Sequence, residues 1–195
     1  MVLDVIAQVL GMLGMLMNVG SFQMKDQRRL ILVQLFGSVL FTVHFLLLGI
    51  SEGRFLMGCA LNIIGMARAY VYSHKERFHA DGIWWLIGFV ISYMAAYVLT
   101  FTLFGTPRTP ADFIIEFLPV IGMTVTTVSF RMKEAGHVRA LGMINSPAWL
   151  AYNLLRGSLG GSLSEIFCLI SVIVGIVRLD CRKKRKEEKN DRANA

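Results

Sequence analysis

Long apolar runs alternate with short polar breaks along almost the whole chain. A helix needs about 20 residues to cross the hydrocarbon core of a bilayer. Seven runs approach that length, at residues 3–22, 30–50, 53–72, 83–105, 112–131, 138–157 and 160–180. Polar breaks such as residues 25–29 and 73–77 separate them, and Pro107 and Pro110 interrupt the chain after the fourth run. The pattern predicts an all-α integral membrane protein with seven transmembrane helices.

Composition indicates that lipid surrounds these helices. Of the 195 residues, 55% are hydrophobic and 17% are charged, whereas soluble domains have about 45–50% apolar and about 25% charged residues. The mean hydropathy of +0.57 agrees with this comparison. A chain this short cannot enclose so much apolar surface in one core, so we expect the lipid bilayer to cover it.

The net charge of +7 is concentrated at the C-terminus, where seven of the 20 Lys and Arg residues fall in the last fourteen positions. A basic segment after an apolar span is typical of a cytoplasmic tail. We therefore expect residues 182–195 to be disordered and to contact anionic lipid headgroups. This placement of the charge argues against a nucleic-acid partner.

The remaining basic residues indicate which way the helices run. Alternate breaks face the same side of the membrane, and Lys and Arg are enriched on the cytoplasmic side. One side receives Arg54, Arg108 and Arg156. The other receives Lys25, Arg28, Arg29, Lys75, Arg77, Arg131, Lys133 and Arg139, together with the tail. The sequence predicts the N-terminus outside and the C-terminus in the cytoplasm. We expect the first span to be retained, because no basic segment precedes it.

The chain contains an internal repeat. Residues 21–26 read Ser-Phe-Gln-Met-Lys-Asp and residues 129–134 read Ser-Phe-Arg-Met-Lys-Glu, 108 positions later. Residues 65–68 and 175–178 form a second matched pair, with Gly and Arg at their ends, 110 positions apart. Chance similarity of apolar sequence is the alternative to duplication.

A duplicated three-helix unit with one helix between the copies keeps both copies in the same direction. The predicted division is a first three-helix bundle at 1–72, a linker helix with flanking loops at 73–110, and a second three-helix bundle at 111–181. Such three-plus-one-plus-three parallel repeats occur in transporters whose substrate site lies between the repeats.

Two sets of segments carry a recognisable pattern: Gln23, 27–29, Gln34 and 44–49 in the first half, and 146–153 (Ser-Pro-Ala-Trp-Leu-Ala-Tyr-Asn), 157–158 and Glu165 in the second. They resemble the YgjV family of bacterial inner-membrane proteins. The resemblance covers nearly the whole chain except the tail and implies the bacterial inner membrane. That family is similar in turn to the SWEET and PQ-loop transporters, which implies the three-plus-one-plus-three layout. The Pro-Gln dipeptide of the PQ-loop group is missing, since Val120 follows Pro119.

Polar residues recur at helical spacing on one face of most spans, where they would point into the bundle. We expect nine of them to line a substrate cavity: Asn18, Gln34, His44, Asn62, Glu116, Asn145, Trp149, Asn153 and Glu165. The imidazole of His44, near the carboxylate of Glu116 in the outer half of the predicted membrane bundle, could carry a proton. The alternatives are that the asparagines join helices, that His44 bonds to a carbonyl and that the glutamates reach the headgroups.

The sequence contains no recognisable catalytic or phosphate-binding motif, so we expect neither an enzyme nor a metal or cofactor site. Cys59, Cys168 and Cys181 show no pairing pattern and are predicted to be small apolar residues. Arg68 and Arg178 are predicted to extend to the membrane interface. The best-supported function is a small-solute transporter or facilitator. The alternative is a scaffold or regulatory protein that acts through the cytoplasmic loops and the basic tail.

Overall fold

The computed structural model describes residues 2–52, 56–103, 109–155 and 159–181, and these residues form helices without any strand. Seven of the helices have 17 residues or more, and one is a single turn. In chain order they are α1 Val2–Ser21, α2 Gln27–Glu52, α3 Leu56–Ser73, α4 Lys75–Phe78, α5 Ile83–Thr102, α6 Pro110–Arg131, α7 Ala135–Leu155 and α8 Leu159–Gly175. A π-helical turn at Ile176–Asp180 continues α8. The basic tail at 182–195 lies outside the described residues.

Each predicted span corresponds to one long helix, so the all-α prediction is confirmed. Three segments are long and apolar enough to cross a membrane by length and composition alone, namely Ile83–Thr102, Pro110–Arg131 and Gly161–Asp180, and Val5–Ser21 is a shorter apolar helix. The number of spans and the orientation of the termini stay predictions. Arg54, Arg108 and Arg156, the basic residues assigned to the outer side, lie outside the described residues.

The break before α6 is a capping box. The side chain of Thr109 accepts a hydrogen bond from the backbone N–H of Asp112 at 3.2 Å, and the Asp112 carboxylate accepts one from the Thr109 backbone. Pro110 occupies the first turn, where its missing N–H costs nothing. These local interactions fix the start of the helix that opens the second half of the chain.

Helices that are adjacent in sequence pack into two groups of three. In the first triplet α2 packs against α1 and α3, and in the second triplet α7 packs against α6 and α8. Between the triplets α1 contacts α8, α3 contacts α6, and α2 contacts α7. Helix α5 packs against α3 and α6. The middle long helix therefore lies along one seam between the triplets.

Glycines allow the first two helices of each triplet to approach closely. A Cβ on Gly14 would lie 3.0 Å from the ring of Phe41, and one on Gly122 would lie 2.8 Å from the indole of Trp149. Both the two glycines and the two aromatic residues are 108 positions apart. The α1–α2 and α6–α7 pairs thus make the same contact, which is how small residues serve helix packing in membranes.

The two repeated hexapeptides have the same local structure. In each, the serine hydroxyl donates to the carbonyl three residues earlier, at 2.6 Å for Ser21 and 2.7 Å for Ser129. The N–H of the following methionine, Met24 or Met132, donates to the serine carbonyl at 3.0 and 3.2 Å. Each hexapeptide thus ends its helix, α1 or α6, with the same hydrogen-bonded turn.

Polar side chains join the connections at the end of the bundle where α1 and α6 end, which we call the loop end. Lys75 Nζ donates to the carbonyls of Arg131, at 3.2 Å, and Met132, at 2.5 Å. Gln27 donates from its amide to the carbonyls of Ser129 and Phe130, each at 3.4 Å. The start of α2 and the α3–α4 connection are thereby attached to the end of α6.

A buried arginine also joins segments of the chain at the loop end. Arg139 of α7 is 2% exposed and pairs with the Asp180 carboxylate at 2.9 Å from Nε and 2.5 Å from Nη2. Its Nη1 donates to the carbonyls of Met24, at 2.8 Å, and Phe22, at 3.4 Å. One guanidinium thus holds the end of α1, the start of α7 and the π-helical turn after α8.

Candidate functional site

A cavity of about 590 Å³ lies between the two triplets. Its described lining comes from α1, α2 and α3 on one side and α6, α7 and α8 on the other, and none of it comes from α5. The lining is mixed, with methionine and phenylalanine side chains beside carboxamides, hydroxyls, a histidine, a carboxyl group and a guanidinium. Such a surface can hold a small solute that has both polar and apolar parts.

The structure brings eight of the nine predicted site residues to this cavity. They are Asn18, Gln34, His44, Asn62, Asn145, Trp149, Asn153 and Glu165. They come from five different helices, so stripes that were separate in sequence meet in space. That these residues bind a substrate stays a prediction.

Glu116, the ninth predicted residue, is not part of the cavity lining. It is 4% exposed and lies on α6 between Phe113 and Phe117, at the level where Tyr97 of α5 donates to the Phe113 carbonyl at 3.0 Å. Helix α6 enters the lining only at Met123, about two turns later. His44 lines the cavity and Glu116 does not.

His44 bonds across the first helix pair. Its Nδ1 lies 2.6 Å from the carbonyl oxygen of Ala7, and a Cβ added to Gly11 would lie 2.9 Å from the same nitrogen. The sequence left open whether His44 carries a proton or bonds to a carbonyl, and the carbonyl contact is present. His44 also lines the cavity, so a role in solute binding stays a prediction.

Several carboxamides in the cavity have free hydrogen-bonding capacity. The side chains of Asn18 and Asn153 line the cavity and make no hydrogen bond within the described residues. The Oδ1 atom of Asn145 is buried and has no partner there either. A buried polar group without a partner costs free energy. A bound polar solute would supply the missing partners.

Matched positions of the two halves line the same cavity. Five pairs of lining residues are 108 positions apart: Met15 with Met123, Asn18 with Thr126, Phe22 with Phe130, Ser38 with Ser146, and Phe41 with Trp149. The offset is that of the two hexapeptides. Each half thus contributes the same five positions to the lining.

The Arg68 side chain turns into the bundle, contrary to the prediction that it extends outward to the membrane interface. Its side chain is 6% exposed and lines the cavity. Nη1 donates to the carbonyl of Met123, at 3.2 Å, and to the hydroxyl of Tyr93, at 3.3 Å, while the guanidinium carbon lies 4.9 Å from the centre of the Phe130 ring. Helices α5 and α6 supply these partners, so the side chain turns inward. Arg178, its counterpart 110 positions later, is exposed.

Sequence reasoning missed the functional potential of Arg68 and of the hydroxyls beside it. A signal was present, because four residues, Ala69 to Tyr72, continue the helix between Arg68 and the polar break at Ser73. Arg68 therefore lies about one turn inside α3 rather than at its end. Ser38 and Ser146 could have been found as a pair through the 108-residue offset.

The three cysteines are free, with Cys59 and Cys168 buried and Cys181 exposed. Cys168 lines the cavity wall. No disulfide constrains the fold, and two of the three thiols lie in the apolar interior as small side chains do.

Comparison with known proteins gives the family. No curated protein and no solved structure matches the chain. The profile of Imp-YgjV, described as a bacterial inner membrane protein, matches residues 5–183, which include the described residues that line the cavity. The helical structure with apolar helices fits a multi-pass protein of the bacterial inner membrane. The chain belongs to the Imp-YgjV family of bacterial inner membrane proteins.

Proposed function

We propose that the protein is a small-solute transporter or facilitator whose solute path is the cavity between the two triplets. The observation that carries the proposal is that one cavity is lined from both sides by residues at matched positions of a repeat. Its volume of about 590 Å³ falls within the range of about 300–1,000 Å³ for small-molecule sites. Transporters built from parallel repeats bind their substrates between the repeats.

The proposed architecture is a SWEET-like arrangement of three plus one plus three helices. Exchanging the triplets turns the α1–α8 contact into the α6–α3 contact and leaves the α2–α7 contact in place. That exchange is what a twofold axis along the membrane normal requires. Helix α5 lies outside the cavity, as a linker helix between the two units would.

We further propose that all seven long helices cross the membrane, with the N-terminus outside. The loop end would then face the cytoplasm. The lining residues nearest it, Phe22 and Phe130, are 5% and 0% exposed. In this proposal the described conformation is thus closed at the cytoplasmic end. Transport would require the loop end to open in a second conformation.

Uptake into liposomes that contain the purified protein tests the proposal. The probes are radiolabelled glucose, glycine, succinate and phosphate. The two variants His44→Ala and Asn153→Ala should each lower uptake roughly tenfold, because a lost hydrogen bond to a bound solute is worth about 1–1.5 kcal/mol. Ser92→Ala is the matched control, since Ser92 bonds to the Gly88 carbonyl of its own helix, outside the cavity. Full uptake by both cavity variants would rule out the assigned path.

Deletion of residues 182–195 separates transport from scaffolding. We propose that this tail binds anionic headgroups, where each Lys or Arg contributes about 1 kcal/mol. Uptake should survive the deletion, while binding of the tail to vesicles containing phosphatidylglycerol should be lost. A cellular phenotype that follows the tail and ignores Asn153→Ala would favour the scaffold instead.

A further inference from the structure

The Arg68 guanidinium lies at the boundary between the triplets, on the wall of the cavity. Within the described residues Arg68 forms no ion pair, and the ion pair that the structure does contain joins Arg139 and Asp180. A buried charge is normally paired or neutralised. A guanidinium group is a cation in proteins. The described residues therefore supply Arg68 with no ion-pair partner.

The guanidinium also has unused donors. All of its hydrogen bonds to the protein come from Nη1, and Nε is buried with no partner within the described residues. Phe130 covers one face of the group, with the guanidinium carbon 4.9 Å from the ring centre. Among the residues that the structure describes, no acceptor bonds to the edge formed by Nε and Nη2. That edge is the fork that binds carboxylate or phosphate through two parallel hydrogen bonds.

Position 65, beside this edge, is a glycine and places no side chain there. A Cβ there would lie 3.9 Å from Arg68 Nη2, 4.0 Å from Ser38 Oγ and 3.3 Å from Met123 Cε. The absent side chain thus leaves a small recess with a guanidinium on one side and a hydroxyl on another. Gly65 and Ser38 both line the cavity, as Arg68 does, so the recess is reached from the solute path.

We propose that Arg68, with Ser38 and the recess at Gly65, is an oxyanion-binding site and that the solute of this cavity carries a carboxylate or a phosphate group. This inference rests on the proposed solute path, since the anion would be its cargo. The matched position in the second half lacks such a site. There the space beside Gly175 is occupied, because a Cβ on this residue would lie 2.6 Å from the Phe22 carbonyl oxygen.

Equilibrium binding to the full-length protein in detergent tests the site without requiring transport. The probes are radiolabelled phosphate and radiolabelled succinate, at constant ionic strength, with unlabelled glucose as a neutral competitor. Wild-type protein should bind at least one of the two anions saturably, and glucose should not displace it. The preferred anion identifies the oxyanion as carboxylate or phosphate.

Three variants locate the binding. Arg68→Gln should weaken it roughly 30-fold or more, as removal of one partner of a buried charge pair does. Arg68→Lys should bind roughly tenfold more weakly than wild type, because Lys keeps the charge without the fork. Gly65→Ala keeps the guanidinium and fills the recess, and should also lose binding. Since its nearest new contact is the flexible end of Met123 at 3.3 Å, this variant should fold.

Arg178→Gln is the matched control, because Arg178 holds the same repeat position and is exposed. It should bind the anion as wild type does. Displacement by short-chain phosphatidylglycerol at lower concentration than by either free anion would assign the same oxyanion chemistry to a lipid headgroup.

Two results would overturn the inference. One is no saturable binding of either anion to wild-type protein, and the other is undiminished binding by both Arg68→Gln and Gly65→Ala. Uptake of glucose with no anion binding would remove the oxyanion site and leave the transporter proposal standing. Anion binding without uptake of any probe would support the oxyanion site and count against the transporter proposal.

Discussion

Two arginines are buried to a similar degree in this protein, and their surroundings differ. Arg139 is 2% exposed, and each of its three guanidinium nitrogens donates to a protein acceptor, two of them to the Asp180 carboxylate. Arg68 is 6% exposed, and within the described part of the chain only Nη1 donates to the protein. The first arginine lies at the loop end and the second on the cavity wall. An arginine whose donors all have protein partners serves to hold the fold together. An arginine beside a cavity with donors that lack partners is a candidate ligand-binding group.

The glycines beside the two arginines differ in the same way. A Cβ on Gly175 would meet Arg139 Cδ at 2.7 Å and the Phe22 carbonyl oxygen at 2.6 Å, whereas one on Gly65 would lie 3.9 Å from the nearest atom of Arg68. The two glycines are equivalent by the repeat. A Cβ at Gly175 would thus collide with backbone, whereas one at Gly65 would meet the flexible end of Met123, at 3.3 Å.

Removal of the Arg139 side chain should have the largest effect on stability. Arg139→Gln leaves Asp180 without its cation and the carbonyls of Phe22 and Met24 without their donor. Breaking a buried pair costs about 3–5 kcal/mol, and we expect a loss of about 3 kcal/mol because Asp180 is 26% exposed. Chemical unfolding in detergent measures it.

The Arg139 interpretation has its own control. Arg139→Gln combined with Asp180→Asn should cost less than the sum of the two single changes, because both remove the same ion pair. Strict additivity would show that the pair does not stabilise the loop end.

Alanine substitutions at Gly175 and Gly65 should give the next largest difference in stability. Gly175→Ala places a methyl group against backbone that cannot move aside, and overpacking of this kind costs about 1–3 kcal/mol. Gly65→Ala should be neutral or slightly stabilising, since alanine favours helix by about 1 kcal/mol over glycine. Unfolding free energies of the two variants in the same detergent decide the point. Equal losses would mean that the two halves are packed alike.

Arg68→Gln should change stability less than Arg139→Gln. The lost bonds to Met123 and Tyr93 are worth about 1 kcal/mol each, and removal of a buried charge that has no carboxylate partner offsets much of that loss. We expect a net change within about 1 kcal/mol, measured by chemical unfolding without added anion. A loss as large as that of Arg139→Gln would identify Arg68 as an architectural residue.

The smallest effect concerns Lys75, a half-buried cation held at the loop end by carbonyls rather than by a carboxylate. Burial lowers the pKa of Lys75, and nearby Asp81 and Lys133 act in opposite directions on it. The folded state therefore releases this proton at lower pH than the unfolded chain. Unfolding free energy should rise as the pH increases from the lowered pKa toward about 10.4, the ordinary value.

Comparison with Lys75→Met isolates this contribution. The variant should lack that rise, whereas Lys25→Met, which replaces an exposed lysine, should keep it. A fall in the stability of wild-type protein relative to Lys75→Met over the same pH range would contradict the predicted sign. The measurement is a series of unfolding curves at alkaline pH.

Much of the helical framework followed from the sequence. Apolar runs of about 20 residues have few options besides a helix, because every backbone polar group must find a partner within the segment. Eight of the nine predicted cavity residues lie on one cavity, since polar side chains on the stripe of a membrane helix turn away from lipid. The stripe at Asn145, Trp149 and Asn153 is the clearest example.

The sequence was less informative where a side chain could turn either way. Arg68 is close enough to the end of α3 to reach the interface, and only the acceptors on α5 and α6 draw it inward. Glu116 shares the polarity of the cavity residues, yet α6 is packed against α5 at its level. Both outcomes depend on contacts between segments that are distant in the chain, which helical periodicity does not encode.

The sequence by itself determined the helices, the repeat and the inward stripes, because these follow from local hydrogen bonding and from the solvation of each side chain. Tertiary structure decided which polar groups have complete sets of partners and which face open space. Arginine therefore joins parts of the fold at position 139, whereas at position 68 it has unused hydrogen-bond donors. That difference depends on distances between atoms of separate helices, which exist only once the two triplets have packed.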